Sequence, residues 1–319
     1  MTSPASPKVA EVIAAAARRF RAAGLAYGHG TLNADDEAAW LVVHALRCPF
    51  EELQQRLAQA MPAAALRRAQ ALIERRITER IPAAYLTQEA WLGEHRFYVD
   101  PRVIVPRSYI AGLLRLRLKP WLVKRAPSAI LDLCTGSGCL AIVAAHTWPR
   151  TAVDGVDLSA DALAVARRNV REHRLQDRVR LLHSDLFAAV AGKTYDLILS
   201  NPPYVGAAAM RRLPAEYRHE PEMALASGHD GLDLVRRILA EAPSHLKAGG
   251  WLVMEVGHYR ARVERAFPRL PFIWADVSTG KGVVDDCVLL LQKESFPSAA
   301  GPAAPSNRRA ASRRQKSAR

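Results

Sequence analysis

The tetrapeptide Asn201-Pro202-Pro203-Tyr204 carries the residue types most suited to chemistry in this chain. It follows an apolar run, residues 195–200, that is typical of a buried parallel strand. Two prolines cannot continue a strand, so Asn201 is predicted at a strand's carboxyl end, where open α/β sheets bind their ligands. The Asn201 side-chain oxygen and the Pro202 carbonyl are two acceptors beside the Tyr204 ring, a set that suits a planar –NH2 group. The alternative is a simple strand-to-loop stop with a packed tyrosine.

A glycine-rich turn precedes this tetrapeptide in the chain. A predicted buried strand, residues 130–134, leads into Thr135-Gly136-Ser137-Gly138 and then an apolar helical stretch. The two glycines permit a tight turn and let a ligand approach the backbone closely. The next predicted strand ends at Asp157, 19 positions after Gly138, where a carboxylate can hold ribose hydroxyls. The alternative for Asp157 is a carboxylate that only opens the following helix, whose predicted N-cap is Ser159.

The glycines alone do not distinguish between adenosine cofactors. Gly136 and Gly138, followed by Ala141, also fit the dinucleotide pattern of NAD-binding proteins. Asp132 favours a cofactor that carries an amino group, because its charge would lie where a pyrophosphate belongs. A hydride-transfer enzyme also has no evident use for the tetrapeptide.

Taken together, the motifs resemble the class I S-adenosylmethionine-dependent methyltransferases, and more closely the protein-glutamine amide (N5) methyltransferases of the translation apparatus. The resemblance runs from about Asn33 to Lys293. The Val105-Pro106-Arg107-Ser108 and Cys134–Gly138 forms are most similar to the branch that acts on the third large-subunit ribosomal protein. The matching blocks, in chain order, are Ala90-Trp91-Leu92-Gly93, Phe97-Tyr98-Val99-Asp100, Val105–Ser108, Asp132–Gly138, Ser184-Asp185-Leu186-Phe187, Asn201–Val205, Glu216-Tyr217-Arg218-His219-Glu220-Pro221 and Ala226-Ser227-Gly228-His229-Asp230-Gly231-Leu232-Asp233.

The resemblance implies the cofactor, S-adenosyl-L-methionine, and a role for each predicted site residue. Asn201 and Pro202 would hold the glutamine amide, with Pro203 extending the backbone and Tyr204 packing against the substrate. Glu255 could shape the rim of the pocket. The implied cofactor contacts are Asp157 to the ribose, Asp185 and Leu186 to the adenine, and Thr135, Gly136, Ser137 and Gly138 to the methionine end, with Asp132 nearby. For Asp185 the alternative is a solvated turn.

Periodicity and capping residues divide the chain into five predicted segments. In the helical domain, Asn33 caps a second helix that Pro49 ends, and Pro62 opens a third. This domain would help hold the protein substrate or would only support the core. The segments are a flexible N-terminus (1–7), a helical substrate-binding domain (8–88), a hairpin connector (89–107), a methyltransferase domain (108–294) and a disordered basic tail (295–319).

The methyltransferase domain alternates predicted strands with helices. This pattern predicts an α/β fold, a doubly wound, mainly parallel, seven-stranded Rossmann-like methyltransferase sheet beside the small N-terminal helical domain. The predicted strands are 130–134, 152–157, 179–183, 195–200, 251–256, 272–276 and 285–292.

Net charge and residue composition indicate where the protein is located and which partners it can bind. The net charge is +14, and six of these charges lie in the tail, which leaves +8 on the body. Such charge raises affinity for polyanions, so ribosomal RNA contact through the tail is one hypothesis and simple solubility is the other. Neither a signal peptide nor a membrane-spanning run is predicted, and four cysteines without pairing indicate a reducing cytoplasm. The ten histidines show no paired spacing, so no metal is expected.

Three other functions remain open from the sequence. An adenine-amino nucleic-acid methyltransferase also uses Asn-Pro-Pro-Tyr, but no separate target-recognition region is evident. A release-factor glutamine methyltransferase differs mainly in the 105–108 and 134–138 blocks. A non-catalytic RNA-binding assembly factor is compatible with the basic tail, although an intact cofactor loop and tetrapeptide disfavour it.

Overall fold

The structure is a computed structural model that describes residues 6–122, 125–277 and 286–297. A helical unit comes first, followed by a two-stranded hairpin and then an α/β domain. The helices of the first unit are α1 (Val9–Ala22), α2 (Ala34–Leu46), α3 (Leu53–Arg56), α4 (Ala63–Thr78) and α5 (Ala83–Thr87), and the hairpin is β1 (Glu89–Leu92) with β2 (His95–Tyr98).

The α/β domain alternates strands and helices along the chain. Its elements are α6 (Ile110–Arg115), β3 (Ala129–Leu133), α7 (Cys139–Thr147), β4 (Ala152–Asp157), α8 (Ala160–Glu172), β5 (Val179–His183), β6 (Tyr195–Ser200), α9 (Ala207–Met210), α10 (Asp233–His245), β7 (Leu246–Glu255), α11 (Arg260–Ala266), β8 (Ile273–Ala275) and β9 (Val288–Gln292).

The strands form one seven-stranded sheet in the order β5-β4-β3-β6-β7-β9-β8. Neighbours from β5 to β7 are parallel, while β9 runs antiparallel to both β7 and β8. Helices cover both faces, because alternate strand residues point to opposite sides: Ile130 joins the cluster around α6 and α7, and Leu131 the cluster around α10. The predicted doubly wound, mainly parallel seven-stranded sheet is confirmed.

Capping explains where the first helices begin and end. The Asn33 side chain accepts hydrogen bonds from the backbone N–H groups of Asp35 and Asp36 at 3.0 and 2.9 Å, as predicted for a cap. The second helix ends at Leu46, before the predicted stop at Pro49, because Arg47 adopts a left-handed conformation. The helix after Pro62 begins at Ala63, so the proline is the capping residue rather than the first helical one.

The longest strand differs most from its prediction. β7 begins at Leu246 instead of Trp251, and its pairing with β6 shifts register between Tyr195 and Leu197. Glycines 249 and 250 within this stretch are typical of a turn, so the sequence pattern did not predict the first half of the strand.

The described part of the chain contains no helix that is long and apolar enough to span a membrane. Of the two predicted flexible ends, residues 1–5 and 298–319 lie outside the described residues.

Candidate active site

A cleft opens at the carboxyl ends of β3, β4 and β6. The sheet order reverses between β3 and β6, since β4 and β5 extend to one side and β6 and β7 to the other. Open α/β sheets bind ligands at such a switch point. The cleft holds about 750 Å³ of empty space, including its open mouth, and the predicted site residues on its wall are Gly136, Asp157, Asp185, Leu186, Asn201 and Pro203.

Strand register explains why these distant residues meet. Leu133 pairs with Val156 on β4 and with Ser200 on β6. The next residues along the chain at this edge are Cys134, Asp157 and Asn201, which therefore emerge side by side and all line the cleft.

The glycine loop turns sharply beneath the cleft. Gly136 and Gly138 have φ values of 55° and 79°, a region that favours glycine. A Cβ on Gly136 would meet nothing within 4 Å, whereas one on Gly138 would lie 3.2 Å from the Ala166 Cβ. Gly136 thus leaves open space on the ligand side, while Gly138 permits α7 to pack closely on α8.

Thr135, Ser137 and Asp132 are buried and do not lie on the cleft wall. The Ser137 carbonyl accepts a hydrogen bond from the Asn169 side chain at 2.9 Å, which ties the loop to α8. The backbone N–H of Thr135 donates to the Val156 carbonyl at 2.9 Å, which ties the loop to β4. These residues shape the loop from below.

Asp132 has an unusual environment for a carboxylic acid. Its Oδ2 accepts from the Thr135 hydroxyl at 2.6 Å and from the Ala141 backbone N–H, in the first turn of α7, at 3.0 Å. Its Oδ1 is buried and has no hydrogen-bond partner among the described residues. Burial raises the pKa of Asp132 to about 7, against the two donated hydrogen bonds. Strand alternation causes this placement, because Asp132 points to the same face as Ile130, toward α7.

Asp157 lies on the cleft wall, where two backbone N–H groups hold its carboxylate. Gly136 donates to Oδ2 at 2.8 Å and Ser159 donates to Oδ1 at 2.9 Å. Burial raises the pKa of Asp157, and the hydrogen bonds from Ser159 and Gly136 oppose that shift. The predicted N-cap is Ser159, whose hydroxyl accepts from the Ala162 N–H at 3.1 Å, so Asp157 is not itself the cap of α8.

Asp185 and Leu186 occupy the turn after β5. Asp185 is exposed and forms an ion pair with Arg237 of α10, with an Nη2–Oδ2 distance of 3.0 Å. Leu186 is buried, and its backbone adopts φ of 46° while its carbonyl accepts a hydrogen bond from Ser184. Arg237 was not apparent from the sequence, because 52 positions separate it from Asp185 and no motif includes it.

The tetrapeptide divides between the wall and the interior. Asn201 and Pro203 line the cleft, whereas Pro202 is buried and Tyr204 is half-buried behind the wall. Burial and the nearby Glu255 carboxylate raise the pKa of Tyr204, so its hydroxyl stays protonated at neutral pH. Within the described residues, no group forms a hydrogen bond with the Asn201 side chain.

The chain after the tetrapeptide is supported by residues 225–231. Val205 and Ala226 form a parallel bridge, with hydrogen bonds from Val205 to Leu225 at 2.8 Å and from Ser227 to Val205 at 2.9 Å. A Cβ on Gly231 would lie 2.4 Å from the Tyr204 carbonyl oxygen. This segment therefore fixes the backbone position of Tyr204.

Glu255, the last residue of β7, is buried behind Tyr204. Its Oε2 accepts from the Ser108 hydroxyl at 2.6 Å and from the Tyr109 backbone N–H at 3.0 Å. Burial raises the pKa of Glu255 to about 7, and hydrogen bonding opposes that shift. Glu255 does not itself line the cleft described above. It anchors Ser108 and Tyr109 to the sheet.

A buried ionic network joins this segment to the helical unit. Glu220 accepts from Arg107, with an Nη2–Oε2 distance of 2.7 Å, and from the Val105 N–H at 3.0 Å. Glu216, four residues earlier, bonds to Arg76 and Arg80 at 3.3 Å each. The resemblance includes Arg107, Glu216 and Glu220 but neither Arg76 nor Arg80, and the contacts of all five become evident only in three dimensions.

Comparisons with known proteins agree with this architecture. Residues 11–87 match the family described as PrmC N-terminal domain, and residues 117–216 match the Methyltransferase small domain. The ribosomal protein uL3 glutamine methyltransferase of Burkholderia pseudomallei is 49% identical over 309 residues, which cover 94% of this chain and 99% of that protein. The enzyme of the same description from Bordetella pertussis is 53% identical over 291 residues, covering 90% and 95%.

The similarity thus includes the helical unit, the hairpin and the sheet, and leaves little of either relative unmatched. With about half of all residues identical over that length, the chain belongs to the family of ribosomal protein uL3 glutamine methyltransferases.

Proposed function

We propose that this protein transfers a methyl group from S-adenosylmethionine to the side-chain amide nitrogen of a glutamine in uL3, the third large-subunit ribosomal protein. The observation that carries the proposal is the Asn201 amide, which lies on the wall of the cleft with no hydrogen-bond partner among the described residues. The two relatives of this protein are named for the same reaction and the same substrate. Modification of a ribosomal protein is consistent with a cytoplasmic enzyme.

The cleft fits the proposed cofactor at both of its ends. Asp157 offers carboxylate oxygens for ribose hydroxyls, and the turn at Asp185 and Leu186 offers an acceptor and an apolar face for adenine. The open space beside Gly136 suits the methionine end, and the buried Oδ1 of Asp132, without a partner among the described residues, lies beneath the loop. Bound there, the cofactor supplies an electrophilic sulfonium methyl group.

The amide nitrogen of glutamine is a poor nucleophile, because its lone pair is delocalised into the carbonyl. We infer that the Asn201 side-chain oxygen and the Pro202 carbonyl accept its two N–H groups. These contacts would aim the nitrogen at the methyl carbon and favour the positive charge that develops as the N–C bond forms and the S–C bond breaks. Tyr204 would exclude water from behind, and one amide proton leaves after transfer.

Replacement of Asn201 by alanine tests this role. We expect Asn201→Ala to lower kcat at least a hundredfold, since the amide loses one of its two fixed acceptors, while the Kd for S-adenosylmethionine changes less than about threefold. Methylation of purified uL3 with labelled cofactor and calorimetric cofactor binding measure the two effects.

Asn33→Ala is the matched control, because it removes an asparagine that only caps α2. It should cost about 1 kcal/mol of stability and leave methylation intact. Equal loss of cofactor binding and of methylation in Asn201→Ala would assign Asn201 to the cofactor site instead.

The substrate is tested by offering uL3, a peptide release factor and unmodified DNA in parallel, with mass spectrometry to locate the methyl group. We expect label on one glutamine of uL3. Label on the release factor alone would keep the amide chemistry and change the substrate, whereas label on DNA alone would contradict amide chemistry altogether.

Ribosomal RNA is a further proposed partner, which the basic tail would contact while uL3 is being assembled. The support for it is charge alone: six of the chain's net +14 charges lie after residue 307.

A further inference from the structure

Three histidines from separate elements meet outside the lining of the cleft. His95 begins β2, His146 lies in the last turn of α7, and His173 follows α8. One ring nitrogen of each lies within 4.8 Å of the other two. The histidines are 51 and 27 positions apart in the chain, so the sequence analysis predicted no metal.

The ring of His173 is oriented by a backbone contact. Its Nε2 lies 2.8 Å from the carbonyl oxygen of Arg96, and a carbonyl can only accept. Nε2 therefore carries the proton, and the Nδ1 lone pair points toward His146. Metal-binding histidines characteristically donate their second ring N–H to such an acceptor.

The distances suit a tetrahedral ion. Two nitrogens at about 2.05 Å from zinc are about 3.35 Å apart at the tetrahedral angle. The His146 Nε2–His173 Nδ1 distance is 3.2 Å. The His95 ring stacks on that of His146, with centroids 4.7 Å apart. The Glu94 carboxylate lies 3.7 Å from His95 Nε2 but is not part of this group of ligand atoms, so the fourth position is open to water.

We propose that His95, His146 and His173 form a binding site for a divalent transition metal of the zinc type, completed by water. His95 and His173 are half-buried and His146 is exposed, so an ion can enter from solvent.

Metal binding at this position would add a link among three elements, of which the hairpin and α8 are already joined by hydrogen bonds between Tyr98 and Asn169. α7 begins at the glycine loop, α8 begins just after Asp157, and the hairpin leads into the segment at residues 105–108. A bound ion would fix the far ends of both helices to the hairpin. The site is therefore structural and does not depend on the proposed methyl transfer.

The test is titration of zinc chloride into the full-length, tag-free protein after removal of metal with a chelator. We expect one zinc per chain by calorimetry, and a rise in melting temperature of roughly 5–10 °C when free zinc exceeds Kd a hundredfold. His146→Ala and His173→Ala should each weaken binding at least tenfold and abolish the melting shift. His44→Ala, a histidine outside the cluster, should leave both unchanged.

Cobalt supplies a readout that does not depend on variant folding. Tetrahedral cobalt bound by nitrogen and oxygen gives visible d–d bands without the near-ultraviolet thiolate band. A thiolate band would assign the ion to one of the four cysteines and overturn the proposal, as would non-stoichiometric binding or affinity unchanged in both histidine variants. His146→Gln and His173→Gln repeat the measurement with side chains that keep a hydrogen bond and preserve packing.

Discussion

Glu255 shows how a single buried carboxyl group can make stability depend on pH. Its folded pKa is raised from 4.5 to about 7, chiefly by burial. The protonated form is thus favoured by folding, and the stability it contributes is fully present below pH 4.5 and lost as pH rises through 7. Asp132 shifts in the same direction, with a pKa raised to about 7.

Glu255→Gln should separate the two contributions. The amide oxygen can still accept hydrogen bonds from Ser108 and Tyr109, but the glutamine side chain cannot ionise. The variant therefore does not lose the stability that the wild type loses at this residue as pH rises. We expect its free energy of unfolding, relative to the wild type, to increase by about 2 kcal/mol between pH 5 and pH 8. Urea unfolding at four pH values measures this, with Asp132 present in both proteins. A difference that is constant with pH would show that Glu255 titrates normally.

A substitution at Gly231 tests whether residues 225–231 hold the backbone of Tyr204 in place. Its φ is 83° and an added Cβ would lie 2.4 Å from the Tyr204 carbonyl oxygen. We expect Gly231→Ala to cost about 3 kcal/mol or more and to lower kcat, because the backbone of Tyr204 must move. Thermal unfolding and methyl-transfer assays measure the two effects.

Gly249→Ala is the matched control, since Gly249 also has a positive φ of 71° but open space around its Cβ position. It should cost only about 1 kcal/mol and leave kcat unchanged. Similar losses in both variants would attribute the effect to backbone conformation rather than to the contact with Tyr204.

Much of the site was predictable because strand ends are predictable. Asn201 and Asp157 each follow an apolar run, and parallel strands bring such ends to one edge. The burial of Asp132 was not predictable from the sequence. Whether a carboxylate near a strand end faces the ligand or the core depends on which helix covers that face of the sheet. Arg237 gave no signal, because an ion pair between distant helix and turn residues leaves no spacing pattern.

At the scale of elements, α4 is joined to the α/β domain through Arg76. This side chain is only 1% exposed, lies 2.7 Å from Glu37 and 3.3 Å from Glu216, and donates to the Ala26 carbonyl at 2.8 Å. The two carboxylates come from α2 and from the turn Ala215–His219, so three elements share one guanidinium group.

We expect Arg76→Met to destabilise the protein by about 3–5 kcal/mol, because it leaves the buried Glu37 carboxylate without its cation and Glu216 with Arg80 alone. Arg75→Met is the control on the same helix: its pair with Glu79 is half exposed, and its loss should cost less than about 0.5 kcal/mol. Denaturant unfolding compares them. Equal stability of the two variants would mean that solvent reaches the network around Arg76.

The helix starts and strand bounds were predicted correctly where a single sequence feature, such as a capping residue or an apolar run, determined them. Asn33 and Ser159 cap their helices as predicted, and the strands near 152, 179 and 195 have the predicted bounds. The errors lie where two signals compete. β7 continues through two glycines because its partner β6 supplies the pairing, and α2 ends early through a left-handed Arg47 that no residue preference indicates.

At the scale of the whole molecule, charge is unevenly distributed along the chain. Removal of residues 295–319 lowers the net charge from +14 to +8. If all six basic side chains contact phosphates, the slope of log affinity for RNA against log salt should fall by roughly four to five, while methylation of free uL3 is unchanged. Filter binding across salt concentrations measures the slope. An unchanged slope would place RNA contact on the body or exclude it.

The ionic network around Glu216 also has a consequence for protein engineering. Arg76 and Arg80 come from the helical unit, whereas Glu216 and Glu220 belong to a single turn of the catalytic domain. A chimera that grafts a foreign N-terminal unit onto this sheet would bury the Glu216 carboxylate without Arg76 and Arg80, whereas Glu220 would keep Arg107. Residues 8–88 are therefore not exchangeable alone. The turn at residues 215–220 has to be exchanged together with the helices.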